Sequence, residues 1–387
     1  MTPASPVLRT RFFAMDSSHL AGLALDWASP VRSRQEAARS FVPRLIERGW
    51  VLLLSWHQVQ ELMQHRDDSL VDERLRFIQS WPLLAWIRSK EAGPGSVFDA
   101  WRMEVCAAYD FPDADVHGVR ELTRPRIFSF GSGADALPDI FKDWRHLREA
   151  LNAQQENARR VAAISKWRAA NVDHVRIKDL EQASFRAPGD VGRALLHQRQ
   201  ALAREIATRG DKRIADPDAL AGQFIAEIAS QVPLQGPWSH IVPPVIQLLL
   251  SAGHEPEDID RDATFGEMQD LLVFHQRLRM VADADALPWR ALKRTARRNR
   301  LPITVIEDGM RVHGHDQPER KGSDLNDVHL LCLAPYADVT YVDKRTLESV
   351  RRVRAKVPDC DMLLGEVRRA ANYGEIYKAL TSAPDAL

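Results

Sequence analysis

Carboxylates stand at the ends of apolar, strand-like runs in both terminal parts of this 387-residue chain. In an α/β sheet the carboxyl ends of parallel strands meet at one edge, and ligands bind there. Oxygens of aspartate and glutamate are the ligands that Mg²⁺ and Mn²⁺ prefer, and such ions activate water for phosphodiester hydrolysis. The sequence therefore predicts a Mg²⁺ or Mn²⁺ site formed by Asp16, Glu61, Asp324, Asp327 and Asp343.

Each of these carboxylates also has a purely structural interpretation. Asp16 precedes Ser17 and Asp327 precedes Val328, so either aspartate could cap a helix. Glu61 could face solvent, and Asp343 could be a turn residue. Two carboxylates about 5 Å apart repel by roughly 3 kcal/mol at an effective dielectric constant of 20. A bound cation is therefore the natural explanation for these residues if they converge.

The order of the acidic motifs resembles that of the PIN-like domain, a compact nuclease fold. The matching stretches are Phe12 to Leu20, Leu53 to Leu62 and Asp324 to Arg345. They lie within residues 10–90 and 300–375, which is less than half of the chain. The resemblance implies a metal-dependent nuclease that hydrolyses RNA in preference to DNA. It also implies that the catalytic metal ligands are Asp16, Glu61, Asp327 and Asp343, with Asp324 assisting.

The last motif departs from the family pattern. Asp343 occupies the place of a threonine that ends the strand, and Arg345 occupies the place of the final aspartate. Asp324 or Asp338 could supply the fourth ligand instead. The departure keeps open a second interpretation, in which the PIN-like core is a catalytically inactive scaffold and the helical region is an interaction or regulatory module.

Contacts with nucleic acid are predicted for the hydroxyl of Ser17 and for the run of arginines within residues 294–300. The formal net charge is zero, so binding must come from local patches rather than from the field of the whole protein. Arginine side chains neutralise phosphates, which dominate nucleic-acid affinity. The alternative for such a run is a solvated helix face. The expected contacts are Ser17, Arg294, Arg297, Arg298 and Arg300.

The number and spacing of cysteines and the lengths of apolar runs indicate in which cellular compartment the protein is expected. Three widely spaced cysteines, Cys106, Cys332 and Cys360, exclude a disulfide framework and fit a reducing cytosol. No stretch approaches the eighteen or so apolar residues that a membrane span needs. We therefore expect a cytoplasmic protein without a membrane partner.

The elements that must position the carboxylates alternate between strand and helix near the N-terminus. Strands are predicted at 11–15 and 50–54, and strand propensity returns at 301–306 and 338–343. The intervening chain has the composition of helices. The sequence thus favours an α/β fold, with a PIN-like parallel-sheet core split by a large all-α insertion. The predicted domains are 1–92 and 300–387 for the core and 93–299 for the insertion, which would select substrate, form a homo-oligomer or bind a regulatory protein.

Overall fold

The computed structural model describes residues 10–164, 172–182, 188–231 and 242–382. They form two compact units. The first contains the described residues of 1–154, 294–316 and 325–387, and the second contains those of 155–293 and 317–324. Residues 97–154, which the sequence assigned to the insertion, therefore cluster with both ends of the chain.

The first unit is built on a six-stranded sheet. The strand order is β4-β3-β2-β1-β5-β6, and every neighbouring pair is parallel except β3 and β4. The fold is therefore α/β with a mostly parallel, mixed sheet. The strands are β1 (Arg11–Met15), β2 (Trp50–Leu54), β3 (Leu84–Ile87), β4 (Phe128–Gly131), β5 (Val339–Val342) and β6 (Glu366–Arg369).

Helices form most of the remaining described chain. Those of the N-terminal part are α1 (Ser17–Trp27), α2 (Arg32–Glu47), α3 (Trp56–Met63), α4 (Asp68–Gln79), α5 (Val97–Asp110), α6 (Val116–Thr123), α7 (Gly133–Ala136) and α8 (Arg148–Ile164). The middle part has α9 (Ile177–Leu180), α10 (Pro188–Arg209), α11 (Pro217–Gln231), α12 (Pro244–Ala252), α13 (Phe265–Asp285) and α14 (Trp289–Thr295). The C-terminal part has α15 (Pro302–His313), α16 (Ser323–Leu331), α17 (Lys344–Arg354), α18 (Pro358–Leu363) and α19 (Tyr373–Ser382), and 3₁₀ turns occur at Asp139–Leu147, Pro256–Asp258 and Arg298–Arg300.

The order of the strands reverses at the pair β1 and β5 in the interior of the sheet. All five residues of β2 and all four of β5 are buried, as expected for strands covered by helices on both faces. Met15 pairs with Tyr341, so the two strands end at the same level. The chain leaves β1 toward β2 on one side and reaches β5 on the other. A crevice at the carboxyl end of such a switch point is where α/β sheets bind ligands.

Two expectations about the elements are wrong. Residues 301–306 do not form a strand, because Pro302 opens α15 at its first position and Ile303, Ile306 and Met310 form a buried helical face. The segment 93–299 is not wholly helical, since β4 lies within it. A further strand, β6, was not foreseen because three of its four residues are exposed and polar or charged.

The described residues of the second unit are mostly helical. Small apolar clusters hold it together, one around Leu202, Ile206 and Ala221 and another around Leu249 and Met268. Lys293 in the second unit forms ion pairs with two carboxylates. Its ammonium lies 2.6 Å from Glu255 and 2.9 Å from Asp258. No helix in the described part of the chain has the length and apolar character needed to cross a membrane.

Candidate carboxylate site at the sheet edge

Asp16 is fixed at the carboxyl end of the central strand. It follows β1 directly, and its backbone N–H donates to the carbonyl of Tyr341 at 3.1 Å. Its Oδ1 accepts from the N–H of Ser18 at 2.6 Å, which caps α1. Asp16 is therefore the N-cap of α1. Capping occupies Oδ1 and turns the carboxylate toward the helix N-terminus, where negative charge is stabilised.

Glu61 reaches the same edge through α3. Ser55 and Gln58 form a capping box at the start of this helix. The Gln58 amide also donates to the carbonyl of Met15 at 2.6 Å, which anchors α3 to the end of β1. One turn farther along α3, Glu61 is thereby held beside the residues that follow β1.

The Glu61 carboxylate is held by two polar side chains from distant parts of the chain. Ser17 donates its hydroxyl to Oε2, and the Asn326 amide donates to Oε1 at 2.5 Å. These bonds connect α1, α3 and α16 around a single carboxylate. The sequence singled out Ser17 and placed Asn326 in a candidate motif, but only the packing of three helices shows that they share Glu61.

The surroundings of Glu61 raise the pKa of its carboxyl. Burial is the largest cause, and the neighbouring negative charge of Asp16 adds to it. The hydrogen bonds from Ser17 and Asn326 act in the opposite direction without cancelling the rise. Asp16 and Glu61 come from different strand–helix connections, and Ser17, the neighbour of Asp16 in the chain, bonds directly to Glu61.

Asp343 lies at the neighbouring strand end. It follows β5 directly, and its Oδ1 accepts from the N–H of Thr346 at 2.7 Å, which caps α17. Because Met15 and Tyr341 are paired, Asp16 and Asp343 follow adjacent strands within one residue of the same level. Asp343 thus combines a structural capping role with a position at the switch point of the sheet.

The remaining acidic residues differ in position. Asp327 lies inside α16 next to Asn326, so the expectation that it could cap a helix beginning at Val328 is wrong. Asp324 belongs to the second unit, where its Oδ2 accepts from the N–H of Lys321 at 2.9 Å. Asp338 precedes β5 and accepts from the N–H of Phe12 at 2.6 Å, which places it at the opposite, amino end of the strands.

Structural bonds occupy two of the four arginines predicted to bind nucleic acid. Arg298 forms a forked ion pair with Asp308, with a shortest distance of 2.6 Å. Arg300 donates to the carbonyls of Phe111 and Ala114, both at 2.7 Å, and its partial burial lowers its pKa. Arg294 and Arg297 are exposed. Arg297 donates from Nε to the carbonyl of Arg294 at 3.3 Å, so it is their exposure that makes these two the members of the run best placed to meet a phosphate.

A histidine pair joins the helices that carry the Glu61 contacts. The rings of His57 in α3 and His329 in α16 lie 4.0 Å apart between centroids, inclined by 39°. Burial, with a smaller contribution from His329, lowers the pKa of His57 to about 3. Residues three or four apart lie on the same face of a helix. His57 is four residues before Glu61 in α3, and His329 is three residues after Asn326 in α16, so each histidine shares a face with a residue of the site. No pattern in the sequence indicates this pair, because it depends on how α3 and α16 pack.

The carboxylate oxygens at this edge of the sheet are of the type that binds hard cations, but several of them already accept hydrogen bonds. Asp16, Glu61 and Asp343 offer carboxylate oxygens, the preferred ligands of Mg²⁺ and Mn²⁺. Both oxygens of Glu61 and one oxygen of each aspartate already accept hydrogen bonds. Among the residues that the structure describes, no group of three or more His, Cys, Asp or Glu side chains is arranged to hold a metal ion.

Comparisons of this chain with protein-family models, curated proteins and solved structures gave no match.

Proposed function

We propose that this chain is a metal-dependent nuclease with a PIN-like core that hydrolyses phosphodiester bonds, RNA in preference to DNA. The observation that carries the proposal is the meeting of Asp16 and Glu61 with Ser17 and Asn326, beside Asp343, at the carboxyl edge of β1 and β5. These residues come from both terminal parts of the chain. Their meeting place is the switch point of a mostly parallel sheet, a common location of α/β active sites.

The residues would divide the chemistry of hydrolysis among them. Mg²⁺ or Mn²⁺, held by Asp16, Glu61, Asp327 and Asp343, would supply water activation and charge compensation. Ser17 and Asn326 fix the orientation of the Glu61 carboxylate. Arg294 and Arg297 would hold the phosphate backbone of the substrate.

The test is cleavage of a pool of labelled single-stranded RNAs and DNAs with Mn²⁺ or Mg²⁺. Wild type should cut in a metal-dependent manner, and Asp16→Asn and Glu61→Gln should each lose at least about 100-fold in rate. Asparagine still caps a helix, so Asp16→Asn should keep its fold. Glu36→Gln is the matched control, because Glu36 is an exposed carboxylate on α2 paired with Arg32.

Two results would overturn the nuclease proposal. One is the absence of cleavage by correctly folded wild type with either ion. The other is equal cleavage by wild type and Asp16→Asn, which would place the activity elsewhere in the preparation.

A second candidate is a catalytically inactive scaffold. It is favoured by the hydrogen bonds that already engage both oxygens of Glu61, because a carboxylate satisfied by protein donors needs no cation. In that case Ser17→Ala and Asn326→Ala would destabilise the first unit, and Mn²⁺ would not affect its stability. The helical second unit would then be the region that binds a partner.

A further inference from the structure

A cavity of about 680 Å³ lies in the first unit, apart from the carboxylate site. Trp56, the first residue of α3, and Ser89, two residues after β3, both line it. The cavity therefore opens near the carboxyl ends of β2 and β3. Its volume is within the range of pockets that bind small organic molecules, about 300–1,000 Å³.

Aromatic rings form part of the cavity wall. The rings of Trp56 and Phe141 lie 6.2 Å apart between centroids, inclined by 48°. Phe141 is buried, and the backbone N–H of Trp56 donates to the carbonyl of Gly95 at 2.9 Å, which fixes the start of α3. The faces of aromatic rings attract organic cations, so this part of the lining suits such a ligand.

The polar lining of the cavity is negative. Glu91, Asp99 and Asp143 all line it, and the one basic side chain in its described lining is the exposed His146. Asp99 accepts bonds from Ser96, at 2.8 Å from the backbone N–H and 2.9 Å from the hydroxyl. The side chains of Glu91 and Asp143, by contrast, have neither a hydrogen bond nor an ion pair within the described part of the chain.

Basic side chains are present near the cavity but pair elsewhere. Lys142, adjacent to Asp143, contacts Asp139 at 2.9 Å. Arg145 contacts Asp72 at 2.8 Å and Asp68 at 3.3 Å. The segment thus neutralises its other carboxylates and leaves those of the cavity without a cation. A phosphate or other anion would be repelled there, while an ammonium or guanidinium group would complete the charge pairing.

We propose that this cavity binds a small organic cation, an amine or guanidine whose apolar part lies against Trp56 and Phe141. The inference does not depend on the proposed nuclease activity, since no residue of the carboxylate site lines the cavity.

The experiment measures binding to the full-length protein by calorimetry and ligand-observed NMR at low and high salt. The probes are N-acetyl-arginine amide, N-acetyl-lysine amide, the neutral isostere N-acetyl-citrulline amide, and adenosine monophosphate as an aromatic anion. Capped arginine or lysine should bind in a saturable manner that weakens with salt, and capped citrulline should bind at least about tenfold more weakly.

Variants locate the site. Asp143→Asn and Glu91→Gln should each weaken the binding of capped arginine by about threefold, because an exposed ion pair contributes only modestly to affinity. Both side chains are exposed, so folding should survive. Glu36→Gln is the control, because Glu36 is an exposed carboxylate on α2 that does not line the cavity, and it should leave the affinity unchanged. Trp56→Leu should weaken binding with the carboxylates intact.

Three outcomes would overturn the proposal. They are absence of saturable binding by either cationic probe, equal binding of the arginine and citrulline probes, and binding unaffected by Asp143→Asn combined with Glu91→Gln. Preferential binding of adenosine monophosphate would also overturn it and would identify the cavity as a site for a nucleobase.

Discussion

At the scale of single residues, Glu61 is the group whose titration reports on the whole site. Asp16 raises its pKa, whereas the bond from Asn326 lowers it. We therefore expect Asp16→Asn to lower the pKa of Glu61 and Asn326→Ala to raise it. The measurement is a ¹³C NMR titration of the Glu61 carboxyl in wild type and in both variants. Shifts of the same sign in the two variants would contradict the arrangement described here.

His57 predicts a dependence of stability on pH. Its pKa is lowered to about 3 in the folded protein, compared with about 6.5 for an ordinary histidine. Well above pH 6.5 the His57 imidazole is neutral in both the folded and the unfolded protein, so it does not lower the free energy of unfolding. As the pH falls from 6.5 toward 3, the unfolded chain takes up a proton that the folded protein excludes, and stability is lost.

The corresponding experiment compares urea unfolding at pH 7.5 and pH 4.5. Replacing His57 with leucine should remove the acid penalty, so His57→Leu should gain about 2 kcal/mol relative to wild type on moving to pH 4.5. His146→Leu is the control at an exposed histidine. An equal change in both variants would show that burial of His57 is not the cause.

The residues of the candidate site could be predicted from the sequence only in part. Asp16 and Asp343 were found because each ends an apolar run, and strand ends on one sheet share an edge. The bonds of Glu61 to Ser17 and Asn326 depend on how α1, α3 and α16 rotate against each other. No local pattern encodes that rotation. Asp327 was misplaced for the same kind of reason, since α16 begins four residues before it.

At the scale of elements, a close approach between α4 and α7 makes Gly133 indispensable. A Cβ atom at Gly133 would lie 1.7 Å from the carbonyl oxygen of Ile78, and the Gly133 N–H donates to Trp81 at 2.8 Å. Gly133→Ala should therefore lower the free energy of unfolding by more than about 2 kcal/mol.

Gly22 in α1 is the matched control for this substitution. A Cβ atom there meets nothing within 4 Å, so Gly22→Ala should stabilise the protein by about 1 kcal/mol through helix propensity. Denaturant unfolding of the two variants measures both effects. Equal effects of the two alanines would refute the packing described around α7.

Prediction of elements succeeded where an apolar run is clearly bounded in the sequence. The runs of β1, β2 and β5 are mostly apolar and bounded by Asp, Gly or Ser, and all three strands lie in the interior of the sheet. The interior strand β3 was not predicted, although all four of its residues are buried. The edge strands β4 and β6 are short, and β6 is Glu-Val-Arg-Arg, because an edge exposed to water does not require apolar residues. Residues 301–306 were assigned strand propensity but belong to the start of α15. A buried helix face and a buried strand have similar apolar composition, so a short run does not distinguish them.

At the scale of the whole molecule, the sheet joins the two terminal parts of the chain. β1 lies between β2, which is near in sequence, and β5, which begins more than 300 residues after β1 ends. The β1–β5 pair can form only after the chain of the second unit has been made. Long-range pairing of this kind slows folding because of the entropy lost on closing the loop. The candidate site forms across this pair and therefore depends on completion of the sheet.

Binding of a divalent cation should accordingly stabilise the first unit as a whole. If Mn²⁺ binds at the carboxylates, a concentration 100-fold above its dissociation constant adds about 2.7 kcal/mol and raises the midpoint of thermal unfolding by about 5–10 °C. Hydrogen exchange should slow in peptides covering 11–27 and 50–63 but not in those covering 198–231. Asp16→Asn should abolish both effects, and Glu36→Gln should retain them. An unchanged midpoint for wild type, or a shift that persists in Asp16→Asn, would exclude a metal site at this edge and favour the scaffold.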